Sequence, residues 1–351
     1  MKDFVNYSLL AHNTFGIDAR CHRFVEFESE EEARQLVLSL TGADYPLLIV
    51  GGGSNLLLTG DYPSTVIHSA IRGIDVVYED ADEVILRCGS GEVWDDVVDF
   101  CVANDYFGAE NLSIIPGEVG ASAVQNIGAY GVEAKDLIEC VEAISITTGE
   151  KVMFSGEECE YSYRQSRFKK EWRDKYLITY VSYRLTHEFV ARLDYGNIIS
   201  TLEAEAASRG EVFDAANVTA REVRRAIIGI RNAKLPDPKV EGNAGSFFMN
   251  PIVDRKEFER LQSEFPDLRY FAVTDPVTGA ESYKIPAGWM IEQCGWKGKS
   301  LGKAGVHSKQ ALVLVNRGGA SGNDIVRLCE TIREDVRKKF GVVIYPEVNI
   351  K

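Results

Sequence analysis

A triple glycine placed directly behind a buried-strand pattern constrains this chain more than any other feature. Leu47-Leu48-Ile49-Val50 reads as a short buried strand that runs straight into Gly51-Gly52-Gly53-Ser54-Asn55. Bare backbone amides in that position serve either a tight turn or an anion. The loop is not a phosphate-binding Walker loop, because no Gly-Lys-Ser/Thr follows it. Nor is it a dinucleotide fingerprint, since Leu56 stands where the last glycine belongs. A second stretch, Pro116 to Gly131, sets Gly117, Gly120, Gly128 and Gly131 among small residues with no clear period. Such a segment lets backbone come close to a pyrophosphate and a flat ring. Together the two stretches predict a large phosphate-bearing cofactor.

Strand and helix signals alternate around these loops. Phe24 to Phe27 alternates like a half-buried strand, and Ser29-Glu30-Glu31-Glu32 predicts a capping box ahead of a helix with Ala33, Leu36, Val37 and Leu40 on one face. Val84 to Cys88 predicts a strand, and Trp94, Val97, Val98, Cys101 and Val102 one helical face. From Val141 to Leu185 the pattern turns to strands, with a hairpin at Thr148-Gly149. A helix over Thr219 to Arg231 stops before Leu235-Pro236-Asp237-Pro238, which cannot continue it. Beyond lie a helix near Asp254 to Phe265, a buried strand Ala311 to Val315, and a long helix facing inward at Ile325, Leu328, Cys329, Ile332 and Val336. A last strand is expected at Val342 to Tyr345. The 351 residues therefore read as a multi-domain α+β protein.

Charge narrows the function classes. The formal net charge of −14 opposes non-specific nucleic-acid binding, which relies on neutralising phosphates. Positive charge concentrates at Arg164 to Lys170 and Arg221 to Lys239, where an anionic small ligand would have to bind. No apolar run reaches the roughly 18 residues of a membrane span, and the N-terminus lacks a signal-peptide pattern. The seven scattered cysteines form no Cys-x-x-Cys pair, and the five histidines show no metal-ligand spacing. The expectation is a reduced, cytoplasmic, metal-free protein.

The glycine segments resemble the flavin-binding segments of the UDP-N-acetylenolpyruvoylglucosamine reductases, also called UDP-N-acetylmuramate dehydrogenases. The likeness opens at Asn13-Thr14-Phe15-Gly16-Ile17 and resumes at Tyr163 to Phe168, Lys234 to Lys239 and Gly242-Asn243-Ala244-Gly245-Ser246-Phe247-Phe248. It closes with Ala287 to Glu292, Val306-His307 and Tyr345-Pro346-Glu347-Val348. It implies a two-lobed FAD-binding domain of the vanillyl-alcohol-oxidase/PCMH-like type over residues 1–225, rejoined by a C-terminal strand at 339–351. A smaller α+β substrate-binding domain would fill 226–338. The implied reaction is NADPH-dependent reduction of UDP-N-acetylglucosamine enolpyruvate in peptidoglycan precursor synthesis, by a monomer with non-covalent FAD. An FAD oxidase or dehydrogenase of similar fold, or a nucleotide-sugar-binding protein without catalysis, are the alternatives.

The resemblance also implies residue roles. Gly51, Gly52, Gly53, Ser54, Asn55, Pro116, Gly117, Gly120, Ala121, Ser122, Gln125, Asn126, Gly128 and Ala129 would hold the FAD. Reducing a vinyl ether needs a hydride at one carbon and a proton at its neighbour, and no side chain donates hydride. Ser246 would give the proton, Arg164 would steady charge on the enolate carboxylate, and Glu347 would position or protonate the intermediate. Lys234 would meet the diphosphate, Asn250 and Gln310 would make polar substrate contacts, and Tyr195 would belong to a loop closing over the substrate. Met249 departs from the polar or basic residue expected before Asn250.

Overall fold

The computed structural model describes residues 1–274 and 279–351. The described chain forms two compact units: residues 1–7, 21–52 and 62–233 in the first, and 8–20, 53–61 and 234–351 in the second. The α+β class predicted from sequence is the class observed.

In the first unit, a four-stranded sheet has the order Lys2–Ser8, Arg20–Phe27, Tyr62–Ser69, Leu48–Val50, with the last three strands parallel. The helix Glu30–Ser39 buries Ala33, Leu36 and Val37 in one apolar cluster with Val25, Phe27 and Ile67 of the sheet. Its predicted capping box is half formed. Ser29 accepts the Glu32 N–H at 3.2 Å, but the Glu32 carboxylate takes the Glu28 N–H at 2.8 Å and pairs with the Met1 ammonium. The terminal cation draws the carboxylate past the cap residue.

A five-stranded antiparallel sheet of the same unit runs Lys151–Ser155, Ile138–Ser145, Tyr176–Thr186, Glu83–Gly89, Ile74–Glu79. The helix Trp94–Ala103 buries Trp94, Val97, Val98 and Cys101 with Val84, Leu86, Val141 and Val181 of that sheet. Inside the glycine-rich stretch, where no period was legible, lies a short helix, Val119–Gln125. Two turns are too few to show a period, and its buried face is only Val119, Ser122 and Ala123. A third cluster joins helix Ile198–Ser208 to helix Ala220–Lys234 through Leu202, Val223, Ile227 and Ile230. That second helix runs three residues past the expected Arg231 end. The expected domain boundary at 225/226 falls within it, whereas the compact units divide at 233/234.

In the second unit, the antiparallel order is Gly242–Ser246, Val313–Asn316, Ala304–Val306, Ser300–Leu301. The helix Gly322–Phe340 lies against the middle two strands and buries Ile325, Leu328, Ile332 and Val336. A three-stranded sheet of Ile252–Val253, Glu281–Lys284 and Phe271–Thr274 accompanies the helix Arg255–Glu264, capped by Asp254. The strand expected at Val342–Tyr345 is not one. Its side chains alternate between buried and exposed, but its carbonyls serve a loop amide and a side chain: Tyr345 accepts from Met249 N–H and Ile344 from Arg333 Nε, both at 2.9 Å. The terminal strand is Asn349–Ile350, parallel to Leu56–Leu57, and residues 339–351 belong with the second unit.

Candidate functional site

The first unit presents Gly51 and Gly52 at the end of Leu48–Val50. A side chain on Gly51 would begin 3.1 Å from Glu118 Oε2 and 3.3 Å from Ala121 Cβ. At Gly52 the nearest atoms are Glu118 Oε1 and Gly117 Cα, both at 3.7 Å, so a cradle of about one methyl group stands open there. Glu118 was missed by sequence reasoning, as was the histidine behind it. His68 reaches Glu118 from Nε2 at 3.1 Å and Glu26 from Nδ1 at 2.8 Å, and Lys2 meets Glu26 at 2.7 Å. The one local signal was an acid set among glycines and small residues, for the partners lie 42 and 50 positions from His68.

Burial of the His68 ring pulls its pKa down, but Glu118 and then Glu26 outweigh burial and hold it above the ordinary value of 6.5. A raised folded-state value means the stabilisation is full below 6.5 and drains away as pH rises through the raised value. The stability gap between wild type and His68→Gln should therefore be widest near pH 5.5 and shrink toward pH 9. Urea unfolding across that range checks it, and a gap that widens with pH would contradict the assignment.

Other expected cofactor residues of this unit serve the protein itself through their side chains. Ser122 bonds Val119 O and Tyr183 Oη, both at 2.7 Å, in full burial. Buried Asn126 donates to Glu133 Oε2 and Ser162 O at 2.9 Å and accepts from Lys135 N–H at 3.0 Å. Gly120 packs on Ser90, which a Cβ would meet at 3.0 Å. These positions can offer a ligand only backbone. Gln125 accepts from Lys169 Nζ at 3.4 Å, while Gly128-Ala129 pairs with Val132-Glu133 in a small hairpin. Pro116 and Gly117 lead into Glu118, and the Gly117 carbonyl accepts the Trp94 N–H at 3.0 Å.

Arg164 reaches this hairpin from the turn between Ser162 and Gln165. Its guanidinium donates to Gly128 O at 2.8 Å and Asn126 O at 3.3 Å, on a backbone held at φ +57°. A non-glycine residue in that region is strained, and such strain gathers at functional positions. Tyr195 is exposed and stands beside Gly131, whose added Cβ would lie 3.6 Å from that of Tyr195. Arg231 joins them unforeseen. Its Nε is buried without a hydrogen-bond partner, its Nη2 reaches Ile114 O at 3.4 Å, and burial pulls its pKa down against the influence of Tyr130 and Asp95. An orphaned guanidinium N–H and an open glycine cradle fit a cofactor that carries hydrogen-bond acceptors and phosphate.

The second unit holds the remaining residues. Gly53 sits at φ +66°, and its carbonyl accepts the Thr14 N–H at 3.2 Å. Asn55 is tied to the end of the chain: its Nδ2 donates to Glu347 O at 3.4 Å, and its carbonyl accepts Asn349 N–H and Nδ2, each at 3.1 Å. Ser54 lies between them. Ser246, exposed, stands at the end of Gly242–Ser246 opposite Val313. The next carbonyl, Phe247 O, accepts the Glu347 N–H at 2.8 Å, and Phe248 bridges Pro346. The fold thus sets Ser246 and Glu347 on neighbouring extended backbones, 101 positions apart in sequence. Asn250 accepts the Ala287 N–H at 2.9 Å, at the head of helix Ala287–Gln293, and Gln310 accepts the Leu312 N–H at 3.3 Å. Lys234 is exposed at the end of its helix. Among the described residues no group of histidine, cysteine, aspartate or glutamate could hold a metal, and no helix is long and apolar enough to cross a membrane.

The C-terminal domain of UDP-N-acetylenolpyruvoylglucosamine reductase, as a family, matches residues 237–351, and the FAD binding domain family matches residues 22–155. A UDP-N-acetylenolpyruvoylglucosamine reductase of Bacteroides fragilis strain YCH46 is 54% identical over 344 residues, 98% of each chain. One of Porphyromonas gingivalis strain W83 is 45% identical over 98% of this chain and 97% of its own. The crystal structure of UDP-N-acetylenolpyruvylglucosamine reductase from Thermus caldophilus shares the fold, with a TM-score of 0.65 at 20% identity over 99% of this chain and 98% of that one.

Proposed function

We propose a division of labour among these residues for a chain that belongs to the UDP-N-acetylenolpyruvoylglucosamine reductase family. The enzyme reduces the enolpyruvyl ether of its UDP-sugar substrate in peptidoglycan precursor synthesis, with FAD as cofactor and NADPH as reductant. Membership replaces both alternative readings of the sequence. FAD, when bound, supplies the hydride that no side chain can give. Gly51 to Asn55 and the segment Pro116 to Ala129 hold it, largely by backbone, with Arg231 offering a buried donor.

Ser246 delivers the proton. A serine hydroxyl is a weak acid, so it acts only when held against a strongly basic carbon. The observation that carries this reading is the exposed Ser246 at its strand end, with Glu347 fixed beside it by the Phe247 carbonyl. Glu347 orients the hydroxyl or the intermediate. Arg164 faces the carboxylate on which charge builds, a planar group that its fork of donors suits. Asn250 and Gln310 meet the sugar, Tyr195 closes over the diphosphate, and Lys234 holds it. The protein works as a cytoplasmic monomer that binds neither nucleic acid nor membrane, in keeping with its charge of −14.

Two experiments test this reading. The purified protein should be yellow, lose its visible absorbance on anaerobic NADPH addition, and regain it with the enolpyruvyl substrate; a protein that NADPH bleaches but substrate cannot restore does not do this chemistry. Lys234→Ala should weaken UDP binding about tenfold, the lower end for a charge-assisted bond given the exposure of Lys234. Tyr195→Phe should cost less, since only a hydroxyl goes. Unchanged UDP affinity in Lys234→Ala, by calorimetry, moves the diphosphate elsewhere.

A further inference from the structure

We infer that Asn243 is the positioning residue for Ser246: its side chain braces the strand bulge from which the serine emerges. The inference rests on the reading of Ser246 as proton donor. Between Asn243 and Ser246 the chain advances three residues, while the facing strand goes from Val315 to Val313, only two. The extra residue makes a bulge, which leaves an N–H outside the ladder and re-aims the side chain that follows. Gly245 takes the left-handed conformation this requires, at φ +67°.

The orphaned N–H has been given a partner. Asn243 Oδ1 accepts it from Gly245 at 2.9 Å. The other end of the same amide donates to Glu241 O at 2.8 Å and Pro236 O at 3.3 Å, two residues beyond Lys234. Its backbone is clamped as well, with N–H to Thr14 O at 3.0 Å and its carbonyl taking the Thr14 hydroxyl at 2.6 Å. At 2% exposure nothing competes with these bonds. A buried amide satisfied at both ends is rigid, and its loss would take their side-chain partner from one donor and two acceptors on half-buried residues. Asn243 therefore fixes where the Ser246 hydroxyl stands relative to the Lys234 end of the same unit. Nothing places Asn243 in contact with substrate; it acts through Ser246.

The test is a double-mutant cycle on the holoenzyme by anaerobic stopped flow. Asn243→Ala should slow the half-reaction with the enolpyruvyl substrate about hundredfold, the cost of roughly 1 Å of misplacement, and leave the NADPH half-reaction unchanged. In a Ser246→Ala background the same change should cost less than about threefold, because no hydroxyl remains to misplace. An equal factor in both backgrounds overturns the inference while leaving Ser246 as donor. A Ser246→Ala enzyme with wild-type kinetics removes the donor reading and the inference with it. Asn243→Asp keeps the acceptor for Gly245 and loses both donors, so it separates the two ends should the alanine variant not fold. It should stay within about threefold of wild type in the substrate half-reaction while binding UDP more weakly by calorimetry. A hundredfold slowing with unaltered UDP affinity would mean that the Gly245 bond does not set the serine.

Discussion

Ser246→Ala should leave reduction by NADPH close to the wild-type rate and slow the half-reaction with the enolpyruvyl substrate by about two to four orders of magnitude. The first half-reaction requires no proton at a substrate carbon, and the second does; a positioned general acid contributes about 10²–10⁴-fold. The hydroxyl is exposed at the edge of its sheet, so its removal leaves no buried polar group behind and the fold should not suffer. Ser246→Cys should recover part of the loss, since a thiol also delivers a proton. Anaerobic stopped flow reads each half separately. Equal slowing of both would assign Ser246 to the cofactor or the fold, and an unchanged second half would hand the proton to Glu347 or water.

What was legible in the sequence depended on how near its partners lay. The helices Trp94–Ala103 and Gly322–Phe340 each repeat an apolar face often enough to show their period, and both formed where expected. Val119–Gln125 is two turns long and could not. Val342–Tyr345 shows the limit of alternation as a signal: a segment can bury every second side chain without pairing its backbone to a strand, and this one answers to Met249 and Arg333 instead. Ser246, Glu347 and Lys234 were singled out from the motifs around them. His68 with Glu118, Arg231 beside Tyr130, and Asn243 beneath its bulge were not, because each is defined by a partner or a backbone kink that only the folded chain supplies. The same gap hides how the side chains at some expected cofactor positions are used. Ser122 and Asn126 are polar residues of a glycine-rich segment suited to a ligand, yet both side chains are buried and bonded within the protein.

Gly53→Ala should be the most damaging single methyl group in the glycine loop, and Gly52→Ala the most informative. A Cβ on Gly53 would lie 2.0 Å from His12 O, 2.5 Å from His12 C and 2.8 Å from Asn13 Cα, all backbone, which cannot swing aside as a side chain would. The residue also sits at φ +66°, where an L side chain costs about 1–2 kcal/mol. Adding about 1–3 kcal/mol for forced backbone shifts gives a loss of roughly 2–5 kcal/mol. Apoprotein stability should fall, and FAD retention with it, since Thr14 and Asn55 tie this loop to the strand of Ser246 and to the Glu347 backbone. Gly52 is different. Its added Cβ meets nothing closer than 3.7 Å, so the apoprotein of Gly52→Ala should unfold at the wild-type temperature. If the space belongs to the cofactor, FAD affinity should nonetheless drop by at least about tenfold, or 1.4 kcal/mol. Differential scanning calorimetry of the two apoproteins, followed by flavin fluorescence titration, separates the cases. A Gly52→Ala protein that keeps full FAD affinity would show that the cradle between Gly52 and Glu118 holds no part of the cofactor. A Gly53→Ala protein as stable as wild type would mean that the His12 backbone yields where its packing says it cannot.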